Sequence, residues 1–278
     1  MQVVRRVKEL RELLAQGKGP CVLVPTMGAL HEGHLSLIRM AKVSAEALNR
    51  QVVVSIFVNP IQFDRKGDMD AYPRTEEADL KACEDEGVDV VFIPDEGEVY
   101  AEDRSITVTE TELSSRLCGA KRPGHFDGVC TVVLKLFMMT GCGIAVFGEK
   151  DFQQLAIIRR MVRDLNVPVD VVAIPTMRES DGLAMSSRNV RLTPEQRADA
   201  PRIFRALGEA AYILDPKKMQ EHARKEIEAS KFTSIDYLEL VDAETLQPAS
   251  SFERATVLAV AVFYGEVRLI DHVSLPAF

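Results

Sequence analysis

The chain has 278 residues, 46% of them hydrophobic, with a net charge of −8 and five cysteines. That length and apolar share supply one large domain or two modest ones, and the acidic balance argues against nucleic acid or an anionic membrane surface as the main partner. An odd cysteine count without a Cys-x-x-Cys pair argues against a disulfide framework and a zinc cage, so reduced, partly buried thiols in a cytoplasmic protein are expected.

In chain order, Met1 to Leu14 reads as a charged amphipathic helix without an apolar signal core. Cys21–Val24 is a short apolar run that reads as a buried strand, and Leu35, Ile38, Ala41, Ala45 and Leu48 then recur at helical spacing. Between them stands Pro25-Thr26-Met27-Gly28-Ala29-Leu30-His31-Glu32-Gly33-His34. A glycine-bearing turn and two histidines therefore sit where a strand hands over to a helix. Amide groups at a helix start lack internal partners and the dipole is positive there, a geometry that accepts phosphate. Two imidazoles three residues apart fall on one side of the first turn. Alone, such a pair more often reflects a solvated face or a local hydrogen bond than a ligand set; the lead-in directly after a strand favours a ligand site. The spacing differs from the His-Glu-x-x-His zinc motif.

Further strands are expected at Val52–Val58, Val90–Ile93, Ile144–Phe147 and Val169–Ile174, with helices at Leu35–Asn49, Thr75–Glu86, Gly128–Met139 and Phe152–Leu165. Near-continuous apolar strands alternating with helices imply an α/β fold: a Rossmann-like parallel sheet with helices on both faces. Ligands bind such sheets beyond the carboxyl ends of the strands, where the loops containing Met27, Asn59–Gln62, Gly148–Asp151 and Met177 begin. Thr131 to Phe147, the most apolar stretch, reads as a buried helix turning into a strand and not as a membrane span.

After Pro175 the texture changes. Thr193-Pro194-Glu195-Gln196 is a strong helix start. Helical runs continue to about Ile213 and from Pro216 to Ser230, followed by strands at Ile235–Val241, Thr256–Tyr264 and Val267–Ile270, the last two turning at Gly265. The expected organisation is a domain over residues 1–175 and a smaller α+β C-terminal domain over residues 176–278.

Several polar groups fit a phosphate-bearing ligand. Lys150 at a strand-to-helix junction is a point charge suited to phosphate, and Gln154 lies one turn beyond it; the alternative is a solvated lysine with an acidic cap. Ser186-Ser187-Arg188 can wrap a phosphate chain, and the apolar Leu183, Ala184 and Met185 beside it are unlike a free linker. Asn59 and Gln62 offer uncharged amides to a hydroxyl or a carboxylate. Arg122 in Arg122-Pro123-Gly124-His125-Phe126 is either a substrate contact or part of an exposed turn. Asp79 is either a Mg²⁺ ligand or an ordinary exposed acid on a Glu/Asp-rich helix.

The His31 segment, Phe57-Val58-Asn59-Pro60-Ile61-Gln62-Phe63, Tyr72-Pro73-Arg74-Thr75, Gly148-Glu149-Lys150-Asp151 and Met185-Ser186-Ser187-Arg188-Asn189 together resemble the pantothenate synthetases (pantoate–β-alanine ligases), in order, at similar spacing and over nearly the whole chain. His31-Glu32-Gly33-His34 is similar to the signature of the wider nucleotidyltransferase superfamily. The resemblance implies ATP, Mg²⁺, pantoate and β-alanine as ligands, condensation through a pantoyl adenylate with release of AMP and pyrophosphate, and a homodimer. It implies catalytic roles for His31, His34, Lys150 and Arg188, with Ser186 and Ser187 also on the ATP phosphates. Gly148, Asp151, Met177 and Met185 would line the nucleoside pocket, and Met27 would lie near both ATP and pantoate. Pro25, Thr26, Asn59, Gln62 and Gln154 fall on the pantoate side, Arg122 on the β-alanine side, and Asp79 at a position tied to Mg²⁺. Ala78 stands where some relatives carry a second acid. Another nucleotidyltransferase activity and a non-enzymatic nucleotide sensor are the alternatives at this point.

Overall fold

Valine, isoleucine and leucine fill the central strands almost without polar interruption, the composition of a parallel sheet covered on both faces. β1 (Gln2–Val4), β2 (Val22–Thr26), β3 (Val52–Ile56), β4 (Val90–Phe92), β5 (Ile144–Gly148) and β6 (Asp170–Ile174) form one sheet in the order β1-β4-β3-β2-β5-β6. Every neighbouring pair is parallel. The computed structural model describes residues 1–64 and 66–277. The chain divides into a first unit of Met1–Glu110, Pro123–Glu149 and Ile157–Pro175, and a second of Thr111–Arg122, Lys150–Ala156 and Thr176–Phe278.

In the first unit, Val22, Val24, Val52, Val54 and Val146 pack with Leu37, Ile38, Ala41 and Ala45 of the Glu32–Leu48 helix. Leu23, Val53 and Ala145 alternate with them and are equally buried; the His125–Thr140 helix also packs on β2. Strand order reverses between β2 and β5, the switch point at which α/β sheets place ligands. One residue helps open the sheet there. Val22 N donates to Gln51 O (2.9 Å) and Thr26 O accepts from Phe57 N (3.0 Å), so even-numbered residues of β2 turn toward β3. Pro25 occupies a position facing β5 and has no N–H to give. Pairing with β3 runs to Thr26, whereas pairing with β5 ends at Leu23.

The amino terminus differs from expectation. Only Val7–Leu14 is helical, and Gln2–Val4 forms the edge strand β1 beside β4. A three-residue strand is too short to display alternation, and the charge pattern of the helix masks it.

The second unit is built on the antiparallel sheet β7 (Thr233–Asp242), β8 (Thr256–Tyr264) and β9 (Val267–Leu275). Ile203, Leu207, Met219, Ala223 and Ile227, from helices Arg202–Ala210 and Pro216–Glu228, pack with Leu240, Leu258, Val260 and Val262 of the strands. Thr193 and Gln196 close the expected capping box, but the helix it starts is only Pro194–Asp199. Pro201 N-caps the next helix, so the helical runs expected to about Ile213 are two helices that break there. No helix among the described residues is long and apolar enough to cross a membrane.

Candidate active site

The turn after β2 is held from inside. Thr26 Oγ1 donates to Ser55 O (2.8 Å) and accepts from Gly28 N (3.2 Å). Gly28 has φ +79°, and a Cβ there would lie 2.9 Å from Asp79 Oδ2 and 3.1 Å from Ile56 Cγ2. Ala29 also has positive φ, +50°. Asp79 offsets the cost of that conformation: Oδ2 accepts from Ala29 N (2.9 Å), and Oδ1 from Leu30 N (2.8 Å) and Thr75 Oγ1 (3.2 Å). The residue is 2% exposed. It is therefore not the exposed acid allowed for from sequence; it is the anchor of the histidine-bearing turn.

His31 N-caps the Glu32–Leu48 helix, and its Nδ1 accepts from Gly33 N (3.1 Å); His34 Nδ1 reaches back to accept from His31 N (3.3 Å). The rings lie 4.1 Å apart, centroid to centroid. His34 N and Leu35 N both donate to His31 O. The expectation of bare amides awaiting a phosphate is thus corrected: these first-turn amides are capped internally. An imidazole that accepts at Nδ1 while neutral holds its proton on Nε2. Each ring turns a capped amide into an N–H donor on its far side, and the positive helix end is relayed through imidazole.

After β3, Asn59 and Gln62 belong to one hydrogen-bonded chain. Tyr100 Oη donates to Asn59 Oδ1 (2.7 Å). Asn59 Nδ2 donates to Gln62 Oε1 (3.0 Å) and to Gly128 O (3.0 Å), and Gln62 Nε2 donates to Met27 Sδ (3.0 Å). His125 Nδ1 lies 2.7 Å from Gln62 O. A Cβ on Gly128 would stand 2.6 Å from Ile61 O and 2.8 Å from Gln62 N, so only glycine lets this helix meet that turn. Sequence reading missed Tyr100, His125 and Gly128. His125 adjoins the turn noted for Arg122; neither Tyr100 nor Gly128 has a local signature. Gly148 ends β5 within the same unit.

The remaining candidates belong to the second unit. Lys150 and Asp151 form a turn of 3₁₀ helix before the Phe152–Asp164 helix, with Lys150 Nζ 3.6 Å from Asp151 Oδ2. Gln154 is partly buried on that helix. Gln153, also missed, is buried; its amide donates to Leu113 O and Arg116 O and accepts from Cys118 N, tying the 113–118 segment to Lys150–Ala156. Arg122 is partly buried at the end of the Leu117–Lys121 helix.

The Met177–Met185 loop is a small hairpin closed by Met185 N to Met177 O (3.0 Å) and Glu179 N to Leu183 O (2.8 Å). Arg178 pins it with a bidentate pair to Asp271 (2.6 and 2.9 Å), a bond to Gly182 O and a stack over Phe204. Leu183 packs in the core of the second unit, which explains apolar residues in a polar loop. Beyond it, Ser186 Oγ accepts from Arg188 N, so Ser186, Ser187 and Arg188 start on a local hydroxyl turn.

A family model described as pantoate-beta-alanine ligase matches residues 2–274. Pantothenate synthetase of Akkermansia muciniphila is 53% identical over 258 residues, 91% of this chain and 92% of the relative. The chain belongs to the pantoate–β-alanine ligase family. Among solved structures, pantothenate synthetase from Thermus thermophilus superimposes with a TM-score of 0.93 at 43% identity, covering 98% of this chain and 99% of that one. The pantoate-beta-alanine ligase from Francisella tularensis, complexed with beta-gamma ATP and β-alanine, gives a TM-score of 0.81 at 32% identity, covering 98% and 97%.

The Mg²⁺ implied by this family can be weighed against the residues present. Both Asp79 oxygens are engaged by backbone N–H groups, and among the described residues no group of three or more His, Cys, Asp or Glu could hold an ion. Among the described residues, then, Asp79 anchors the turn and no side-chain cage for a metal is formed around it.

Proposed function

We propose that this chain condenses pantoate with β-alanine at the expense of ATP. The observation that carries the reading is the pair of imidazoles capping the Glu32–Leu48 helix after β2, each accepting a backbone amide at Nδ1, in the same unit as an amide donor on Gln62, within a chain that matches this ligase family over residues 2–274. The family match also weighs against another nucleotidyltransferase activity and against a bare nucleotide sensor, which has no use for an Asn59–Gln62 relay.

In the first step a pantoate carboxylate oxygen attacks the α-phosphorus of ATP; the bond to the β-phosphate oxygen breaks and pyrophosphate leaves. The uncharged β-alanine amine then attacks the acyl carbon, the acyl carbon–oxygen bond to the phosphate breaks, AMP leaves, and the nitrogen gives up a proton to solvent as pantothenate forms. A carboxylate is already a nucleophile, so the first step needs positioning and charge neutralisation rather than an activated side chain. His31 and His34 donate from Nε2 to phosphate oxygens. Lys150, Ser186, Ser187 and Arg188 add charge and hydroxyls along the phosphate chain. Gly148, Asp151, Met177 and Met185 take the nucleoside. Pro25, Thr26, Met27, Gln62 and Gln154 take pantoate, and Arg122 takes the β-alanine carboxylate. Mg²⁺ supplied with the nucleotide would add charge neutralisation at the phosphates, and no residue of this chain is assigned to hold it. A homodimer in the cytoplasm belongs to the same proposal, and sedimentation of the purified chain tests the dimer.

The experiment is an end-point assay with ATP, Mg²⁺, pantoate and β-alanine. Stoichiometric AMP and pantothenate are expected, with omission of either acid or amine abolishing pantothenate. ADP as the nucleotide product, or turnover with a phosphate ester in place of pantoate, would refute the reading.

A further inference from the structure

We propose that Tyr100 is a positioning residue for the acid substrate: through Asn59 it holds the Gln62 amide so that Gln62 meets the substrate with N–H and not with C=O. This rests on the reading of Gln62 as a pantoate contact.

Tyr100 follows the short Glu96–Val99 helix, and its N is bonded to Glu96 O at 2.7 Å. Arg104 and Lys135 stand over its ring at 5.1 and 5.8 Å from the centroid, and the residue is buried. Burial pushes its hydroxyl well above the ordinary tyrosine range, so it stays protonated and donates. The acceptor is Asn59 Oδ1, and Asn59 is 1% exposed. With Oδ1 turned to Tyr100, the Asn59 NH₂ faces the other way and both its hydrogens are spent, on Gln62 Oε1 and Gly128 O. Asn59 is thereby placed behind Gln62, not against substrate. Gln62 Oε1 is drawn toward Asn59, and Nε2 is presented beside Met27.

The Met27 thioether is a weak acceptor. An N–H resting on it passes readily to a better one, a carboxylate or hydroxyl oxygen. A Gln62 turned the other way would present a carbonyl oxygen to a carboxylate, lone pair against lone pair. The hydroxyl of Tyr100 therefore sets the polarity of a subsite it does not touch, selecting for an acid rich in acceptor oxygens. The chain from Tyr100 to Met27 lies wholly within the first unit.

The test uses the purified full chain with ATP, Mg²⁺, pantoate and β-alanine. Tyr100→Phe keeps the ring and leaves Asn59 Oδ1 without its donor. The expected result is a pantoate KM raised about tenfold, with the ATP KM within about twofold of wild type. Should that variant fail to fold, Asn59→Asp carries the same test: a carboxylate still accepts from Tyr100 but gives no proton to Gln62 Oε1, and the same split between the two KM values is expected. A pantoate KM within about twofold of wild type, or equal rises for pantoate and ATP, overturns the proposal for Tyr100 alone. Wild type that forms no pantoate-dependent AMP overturns the reading of the site, and this proposal with it.

Discussion

His34 Nδ1 accepts from the backbone N–H of His31, and His31 Nδ1 accepts from Gly33 N, so the two histidines serve as a helix cap before any ligand arrives. In the usual capping box a Ser or Thr hydroxyl and a Glu or Gln carboxyl or amide do this work. Imidazole differs by having a second nitrogen across the ring, and in the neutral ring that nitrogen is a donor. One pair of side chains can therefore close the helix end and face an anion. Cap and chemistry can be separated by substitution.

Replacing His34 with Ala removes both roles, and kcat is expected to fall about 10²-fold or more, as for other single charge-stabilising donors. His34→Gln restores a side chain that can reach back to His31 N. Thermal unfolding of the Gln variant is expected to match wild type more closely than that of the Ala variant, while kcat remains low in both. Near-normal turnover in His34→Gln would show that the ring matters only as a cap.

Asp79 is the second separable group. Asp79→Asn replaces a carboxylate that accepts from Ala29 N and Leu30 N by an amide with one acceptor oxygen. One partly buried N–H loses its partner, a cost of about 1 kcal/mol. Lower thermal stability and lower kcat are expected, with the Mg²⁺ concentration for half-maximal rate unchanged. A strongly raised Mg²⁺ requirement would mark Asp79 as a metal ligand instead.

Gly128→Ala places a methyl 2.6 Å from Ile61 O, against backbone that cannot swing aside. The helix and the turn carrying Gln62 must separate. A pantoate KM increase larger than any change for ATP is expected, along with a lower unfolding temperature. An alanine variant indistinguishable from wild type would contradict the close approach.

In the second unit, Asp199 joins a helix end to β8 through Tyr264 Oη (3.0 Å) and pairs with Arg202 (3.1 Å). Burial works against its charged form, but hydrogen bonds from Ser230, Tyr264 and Arg202 outweigh it and hold the carboxyl below its ordinary 3.8. A depressed acid stabilises the fold above its unfolded value, and that contribution is lost as pH falls through the folded one. The unfolding temperature is therefore expected to decline below about pH 4 in wild type, and Asp199→Asn is expected to flatten that decline. Equal acid sensitivity in the two proteins would contradict it.

Much of this was legible in the sequence because the strands declare themselves. Val52-Val53-Val54 and Ile144-Ala145-Val146 need no context to be read as buried parallel strands. The histidine turn was legible because strand, glycine and helix spacing agree. Asp79 was not: nothing in Glu76-Glu77-Ala78-Asp79 says that one acid of several is folded inward, since its partners, Ala29 and Leu30, lie about fifty residues away. Tyr100 and Gly128 were hidden for the same reason, their partners being Asn59, Ile61 and Gln62. The β1 strand was hidden by brevity. Local periodicity reports which face is apolar; it does not report which distant backbone a polar side chain will serve.

The most direct measurement is isotope exchange between labelled pyrophosphate and ATP. If pantoate is activated on the α-phosphorus before the amine takes part, exchange requires pantoate and Mg²⁺, proceeds without β-alanine, and collapses in His34→Ala. Exchange that needs β-alanine, or that runs without pantoate, would contradict the adenylate mechanism.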